Sequence, residues 1–398
     1  MLNGTLLQHI GLKPPFQETV VISNTRLDQP LPVGTTPAAA ASNAAPNLRA
    51  IQADWKTPYM QHWSLDVQHQ LTAKTVLSVG YFGSKGTHMI GAFELNELAP
   101  GQALDSQCAT GAPTTPSVPC LVPGTAFFSS AATNILDQIR PFRGYRTITM
   151  IQPRFNSNYH SMQFSAQQRF SGASQVNVAY TWAKNLTDNQ TDRSTAPQNS
   201  ADISIERGRA TLDRRHVLTL NYIYELPFFK NQQGFVGKAL GGWQASSIVN
   251  MQSGLPFTPA TSNFDPAGLG FIPALVAGGR PNVICDPNAN APHTLERFFD
   301  TSCLQANPLA MATNIPNVIG NAGRGIINGP PTYRVDFPMT KNIRFGENVR
   351  VQLRGEAFNV FNHTNFRTIN TNVTQAAYGT VTAVRDPRII QLGAKLNF

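Results

Sequence analysis

Ten stretches of this chain alternate apolar and polar residues with a period of two, and the connections between them alternate as regularly, long then short. A period of two marks a strand with one apolar and one polar face. The last stretch, Arg388–Phe398, shows it most fully. Ile390, Leu392, Ala394, Leu396 and Phe398 fall on one face, and Gln391, Gly393, Lys395 and Asn397 on the other. In Tyr59–Leu71, Trp63, Leu65 and Val67 oppose Ser64, Asp66, Gln68 and Gln70. After the turn Thr72-Ala73-Lys74, Thr75–Gly83 sets Leu77, Val79 and Tyr81 against Ser78 and Gly80, which reads as a hairpin. The pattern recurs in Tyr159–Phe170, Gln175–Lys184, Arg215–Pro227, Trp243–Gln252, Tyr333–Arg344 and Asn348–Asn362, and Phe16–Ser23 is a modest candidate. Ser171-Gly172-Ala173 and Phe345-Gly346-Glu347 are tight turns, and Phe228–Gly242 is a medium connection. Asn24–Thr57, Ser84–Asn158, Asn185–Arg214, Ser253–Pro331 and Asn362–Asp386 read as long loops.

A soluble β-sandwich has no reason to alternate its connections strictly. A barrel that crosses a membrane does, because its turns are short on one side and its loops long on the other. Charged residues make up 13% of the chain, about half the usual share for a soluble globular protein. No apolar run reaches the length of a membrane-spanning helix. The expected fold is all-β, a partial transmembrane antiparallel β-barrel of about ten strands with long extracellular loops. With Phe398 on the inner side, every long loop falls outside. Trp63, Tyr81, Tyr159 and Trp182 then lie near outer strand ends, and Phe170, Phe228, Trp243 and Phe398 near inner ends, as two aromatic belts. A secreted soluble sandwich is the competing reading, and it predicts solubility without detergent.

The net charge is +9, but Lys and Arg are scattered without a long run, which argues against nucleic acid as a partner. On a barrel, such charge draws in anionic ligands or lipopolysaccharide phosphates, so outer-membrane lipid is the expected partner. Cys108 and Cys120 lie close together in one loop, and Cys285 and Cys303 in another. Two local pairs suggest disulfides in an oxidising compartment, with four free thiols as the alternative. No metal-ligand spacing, G-x-S-x-G, H-E-x-x-H or P-loop occurs, so no enzyme and no cofactor are expected. His62, His69, His88, His160, His216, His293 and His363 are isolated and read as surface or lumen residues.

Several segments carry a resemblance, in the same order along the chain. They are Thr57-Pro58-Tyr59 through Gln70-Leu71, Val79–His88, Arg207-Gly208 to Arg214-Arg215-His216-Val217, Gly320–Gly325, Gly329-Pro330, Val335-Asp336, Lys341–Phe345 and Leu353–Phe366. Together they resemble the C-terminal region of Oar-like TonB-dependent receptors, barrels with an N-terminal carboxypeptidase-regulatory-like domain, common in Acidobacteria. Gly329-Pro330-Pro331 departs from the family's usual Gly-Pro-Gly.

The resemblance implies a 22-stranded barrel in the Gram-negative outer membrane with a plug domain inside and a TonB box. Residues 1–398 hold strands for about its C-terminal half. Met1–Leu6 lacks the basic and apolar regions of a signal peptide, and no plug or TonB box is found. The chain is therefore expected to be part of a longer receptor, reached by TonB only through that missing N-terminal region. The implied function is ligand uptake, with a surface-structural or adhesive barrel as the alternative. Phe398, closing the last strand, is the expected signal for the barrel-assembly machinery. Arg334, Asp336, Arg350, Arg354, Glu356 and Lys395 fall on polar strand faces. They would contact the plug or line a ligand path, or else pair with one another across neighbouring strands.

Overall fold

The computed structural model describes residues 48–98, 140–142, 145, 147–189, 197–261, 279–305, 319–345 and 349–398. Phe16–Ser23, Cys108, Cys120 and the turn at 346–348 lie outside the described residues. Nine long strands follow in order: β1 (Tyr59–Thr72), β2 (Thr75–Glu94), β3 (Ile148–Arg169), β4 (Gln175–Thr187), β5 (His216–Glu225), β6 (Trp243–Gln252), β7 (Thr332–Phe345), β8 (Val349–Phe358) and β9 (Ile389–Asn397). Each pairs antiparallel with the next along the chain. Two short strands, Leu48–Ile51 against β3 and Gly208–Arg209 against β4, complete one sheet of 11 strands. The sheet is not closed: β1 and β9 are its edges.

The register carries the sequence alternation across the whole sheet. Val67, Val79, Phe164, Tyr180, Leu218, Met251 and Tyr333 form one cross-strand row. The next row, one residue along each strand, is Gln68, Ser78, Ser165, Ala179, Thr219, Asn250 and Arg334. A one-residue slip of any strand would carry its apolar set onto the polar side, so the pattern itself pins the register. One face is thus apolar, called outward here, and the other polar. Glycine serves this packing at Gly83, opposite Trp63 in register, where a Cβ would run into the indole ring.

No second sheet covers either face among the described residues. All 14 residues of β1 are exposed, and so is β9 apart from Asn397. A soluble sandwich buries one face of each sheet against a partner about 10 Å away, so this arrangement is not a sandwich. Large apolar side chains of the outward face stay open, among them Leu65 at 68% and Leu392 at 81% exposure.

Three elements depart from the sequence pattern. β2 and β3 continue to Glu94 and back to Ile148, well past Gly83 and Tyr159. At 20 and 22 residues they are about twice the 9–11 that cross a bilayer, and their outer halves project beyond it. The alternation breaks where the ladder shifts between Gly86 and Met89, at His88 with φ 57°. Pairing nevertheless resumes with Met89 opposite Phe155.

The second departure is in the long connections, read as loops. They hold paired short strands, Asn282–Val283 with Leu304–Gln305, Pro256–Phe257 with Ile327–Asn328, and Phe366–Ile369 with Val381–Val384. Phe298, Phe299, Leu304, Ile327 and Ile369 pack there as a buried cluster. The 253–331 and 359–388 connections therefore share a small core of their own at the outer end of the sheet. The Cys285–Cys303 disulfide, with Cα atoms 4.8 Å apart, staples it.

The third is α1 (Gly234–Leu240), a helix inside the connection between β5 and β6. Gln232 precedes it, with its amide bridging the Asn342 carbonyl (2.8 Å) and the Arg344 N–H (3.0 Å). That side chain satisfies β7 where it runs on past the start of β6.

Candidate functional site

The polar face carries the charges that the alternation places there. In register, Arg350 faces Arg344 and Asn397, Arg354 faces Thr340 and Gly393, Glu356 faces Pro338 and Gln391, and Lys395 faces Gln352. Among the described residues, the six charges at 334, 336, 350, 354, 356 and 395 form no ion pair across neighbouring strands. Arg334 bonds Asp336 two residues along the same strand at 2.8 Å, with its guanidinium 5.8 Å from the Phe358 ring centre. Arg354 donates to Gln352 at 2.8 Å, again along one strand. Among the described residues, Arg350, Arg354, Glu356 and Lys395 have no ion-pair partner. Hence the inner end of β7–β9 presents a group of cations with little compensation. A cleft of about 240 Å³ opens beside it, lined by Glu225, Lys230, Gln244, Asn342, Arg344 and Arg350.

Asp336 takes a second partner besides Arg334. Its Oδ1 accepts the Asn359 N–H at 2.8 Å, at the corner where β8 leaves the sheet. Asn359 and Asn362 both hold left-handed backbone, φ 50° and 51°, which Asn tolerates better than most residues. Asn365, buried, receives the Tyr333 N–H (2.7 Å) and donates to the Tyr333 carbonyl (2.9 Å), standing in for a strand neighbour. The run Phe358–Phe366 is thus a docking corner, and its asparagines do backbone chemistry.

Two other motif segments, around Gly208 and at Gly320–Gly325, border a buried ionic knot in the outer connections. Glu206 is wholly buried and takes Arg280 at 2.9 Å on one carboxylate oxygen and Arg324 on the other. Gln198 accepts from Arg280 Nε at 2.6 Å and donates to the Gly320 carbonyl at 3.1 Å. Gly208 packs so closely on Arg324 that a Cβ would meet its backbone oxygen. Burial pulls the Arg280 guanidinium below its usual range, opposed by Glu206. Sequence reasoning missed this knot, because its members stand 74 and 118 residues apart.

On the outward face the aromatic positions fall as follows. Trp63, Tyr81 and Trp182 are exposed at the outer end, at 40%, 38% and 52%. Trp243 sits at the inner end, its indole N–H on the Ala239 carbonyl at 3.2 Å. Tyr159 does not join them: it is in register with Ser84 and Asn185 on the polar face. Two histidines do join. His160 bonds the Tyr81 hydroxyl at 2.7 Å and stacks on its ring, and His216 does the same with Tyr180 at 2.8 Å. Neither is a lumen residue. His160 is in phase with Met162 and Phe164, and that phase was the available signal. Lys341, which the alternation puts outward beside Trp243 and Leu353, was also passed over. Among the described residues, no group of His, Cys, Asp and Glu is placed to hold a metal ion.

An open sheet with one apolar and one polar, charge-bearing face defines a wall of a membrane barrel. A family model described as "Outer membrane beta barrel domain" matches residues 2–391, and the chain belongs to that family. It is accordingly an outer-membrane protein. No curated protein matches the chain. Among solved structures it is similar to the outer membrane transporter YddB from Escherichia coli, at 11% identity and TM-score 0.45, covering 89% of this chain and 35% of that one. It is similar also to the FrpB iron transporter from Neisseria meningitidis, at 9% identity and TM-score 0.38, covering 90% and 34%. The copper transporter OprC matches at 9% identity and TM-score 0.36, covering 86% and 31%. The chain spans about a third of the length of these structures.

Proposed function

We propose that the chain is the C-terminal barrel wall of a TonB-dependent outer-membrane receptor that takes up a ligand from outside the cell. One observation carries the reading: a next-neighbour sheet whose polar face bears unpaired Arg350, Arg354, Glu356 and Lys395 while its outward face is apolar. Unpaired strand edges in hydrocarbon cost several kcal/mol per group, so β1 and β9 call for further strands to close the barrel. The polar face then looks onto a plug or a ligand path. TonB acts through the plug region, lipopolysaccharide meets the outer belt, and the barrel-assembly machinery reads the strand ending at Phe398.

The test has two parts. The reading frame upstream of Met1 should continue through further alternating strands, a plug and a TonB box; its absence would leave a surface-structural barrel. In the complete receptor, Arg354→Glu should cut the rate of ligand uptake at least about tenfold, a loss on the order of 1.4 kcal/mol. Unchanged uptake and unchanged plug docking would remove the polar-face charges from the mechanism.

A further inference from the structure

The connection between β5 and β6 lies at the inner end of the sheet, with the short turns. Four contacts place α1 over the outward face. The Lys341 ammonium donates to the carbonyls of Ala239, at 2.9 Å, and Gly241. The Trp243 indole donates to the same Ala239 carbonyl. The Lys238 ammonium stands 5.0 Å from the Phe345 ring centre. Lys341, Trp243 and Phe345 all belong to outward rows, Lys341 opposite Trp243 and Leu353, and Phe345 opposite Val349. Lys341 is only 4% exposed. A charge on an apolar face needs partners, and here the carbonyls at the C-terminal end of α1 supply them, where a helix favours a cation.

This seating turns the other side of α1 away from the protein. Gly237 is buried beneath it, whereas Phe235, Val236, Ala239 and Leu240, at spacing i, i+1, i+4, i+5, form one outer stripe. Phe235 is 88% exposed, Val236 57% and Leu240 52%. The stripe prolongs the apolar face of the sheet at its inner rim, with Lys238 beside it over Phe345. The Gln232 bridge to β7 fixes the connection in place.

We infer that α1 is an interfacial anchor: Phe235, Val236 and Leu240 enter the acyl region of the inner, phospholipid leaflet, and Lys238 meets the phosphates of anionic phospholipids. Two arguments select this occupant. The stripe is continuous with a surface already in lipid, and apolar side chains flanked by Lys match an anionic bilayer interface. A water-facing turn would gain nothing by exposing a Phe to this extent.

The test uses the complete receptor reconstituted in phosphatidylcholine–phosphatidylglycerol vesicles whose acyl chains carry bromine. Phe235→Trp and Leu392→Trp are compared with the parent receptor, whose own tryptophans set the baseline. Both new tryptophans should be quenched by the bromolipid. Quenching at 392 with none at 235 overturns the anchor and leaves the stripe to a water-borne protein partner. Absence of quenching at both overturns the anchor together with the membrane placement of the outward face. Lys238→Gln should lower the preference for phosphatidylglycerol over pure phosphatidylcholine vesicles about fivefold. An unchanged preference would refute the headgroup contact.

Discussion

Glu206 shows how a single side chain holds the outer connections. It is the only carboxylate among the described residues bonded to both Arg280 and Arg324, and the Nη1 of Arg280 is already buried without a partner. Glu206→Gln would leave two largely buried guanidinium groups without their counter-charge. Removing one member of a buried ionic group costs on the order of 3–5 kcal/mol. The expected outcome is that 197–215 and 279–305 become protease-sensitive at temperatures where the parent resists, while the sheet keeps its β signal. Arg207→Gln serves as a control, since the Arg207–Asp188 pair is partly exposed at 34% and 14%. Its loss should cost no more than about 1 kcal/mol, and equal sensitivity in the two variants would contradict this account.

Among the elements, the outer cluster around Phe298 and Phe299 behaves as a unit separate from the sheet, because its contacts lie within and between two connections. The Cys285–Cys303 bridge closes a separation of 18 residues across it. A loop of that length is worth about 3 kcal/mol of chain entropy. Reduction, or Cys303→Ser, should therefore loosen 282–305 while β5–β9 keep their amide protection. Hydrogen exchange measured with and without reductant checks this, and uniform loosening of the sheet would disprove the separation. The contrast has a physical origin: the long strands are held by ladders between sequence neighbours, whereas the cluster is held by short pairings and by side-chain contacts between two connections, such as Phe299 on Tyr378, with ring centres 5.5 Å apart.

At the level of the whole molecule, the outer edge of β1 and that of β9 decide what the chain can be. Both present ladder groups without a partner among the described residues, and β1 is exposed on both faces. In the complete receptor, residues 59–72 should exchange their outward-edge amides as slowly as β2 does. In the 398-residue chain alone, those amides should exchange faster by orders of magnitude, since no ladder protects them. Equal rates in both forms would mean that the edge is satisfied within this chain.

Strand order, strand faces and the side of each connection were legible in the sequence, because each depends on local information. A period of two assigns every side chain to a face, and antiparallel neighbours joined by short turns allow little choice of partner. The charged positions 334, 336, 350, 354, 356 and 395 fell on the polar face for that reason. Their partners did not follow, because an ion pair depends on side-chain geometry that periodicity does not carry: Arg334 chose its own strand, and Asp336 an outer corner. The knot around Glu206, the cluster around Phe298 and the seating of α1 over Lys341 join residues tens to more than a hundred positions apart. Each segment is unremarkable by itself, with a Gly-rich stretch, a polar loop and a medium connection among them. Only the folded chain brings a buried carboxylate to two arginines, or a helix end to a lysine, since such contacts form once the sheet has set the distances between the loops.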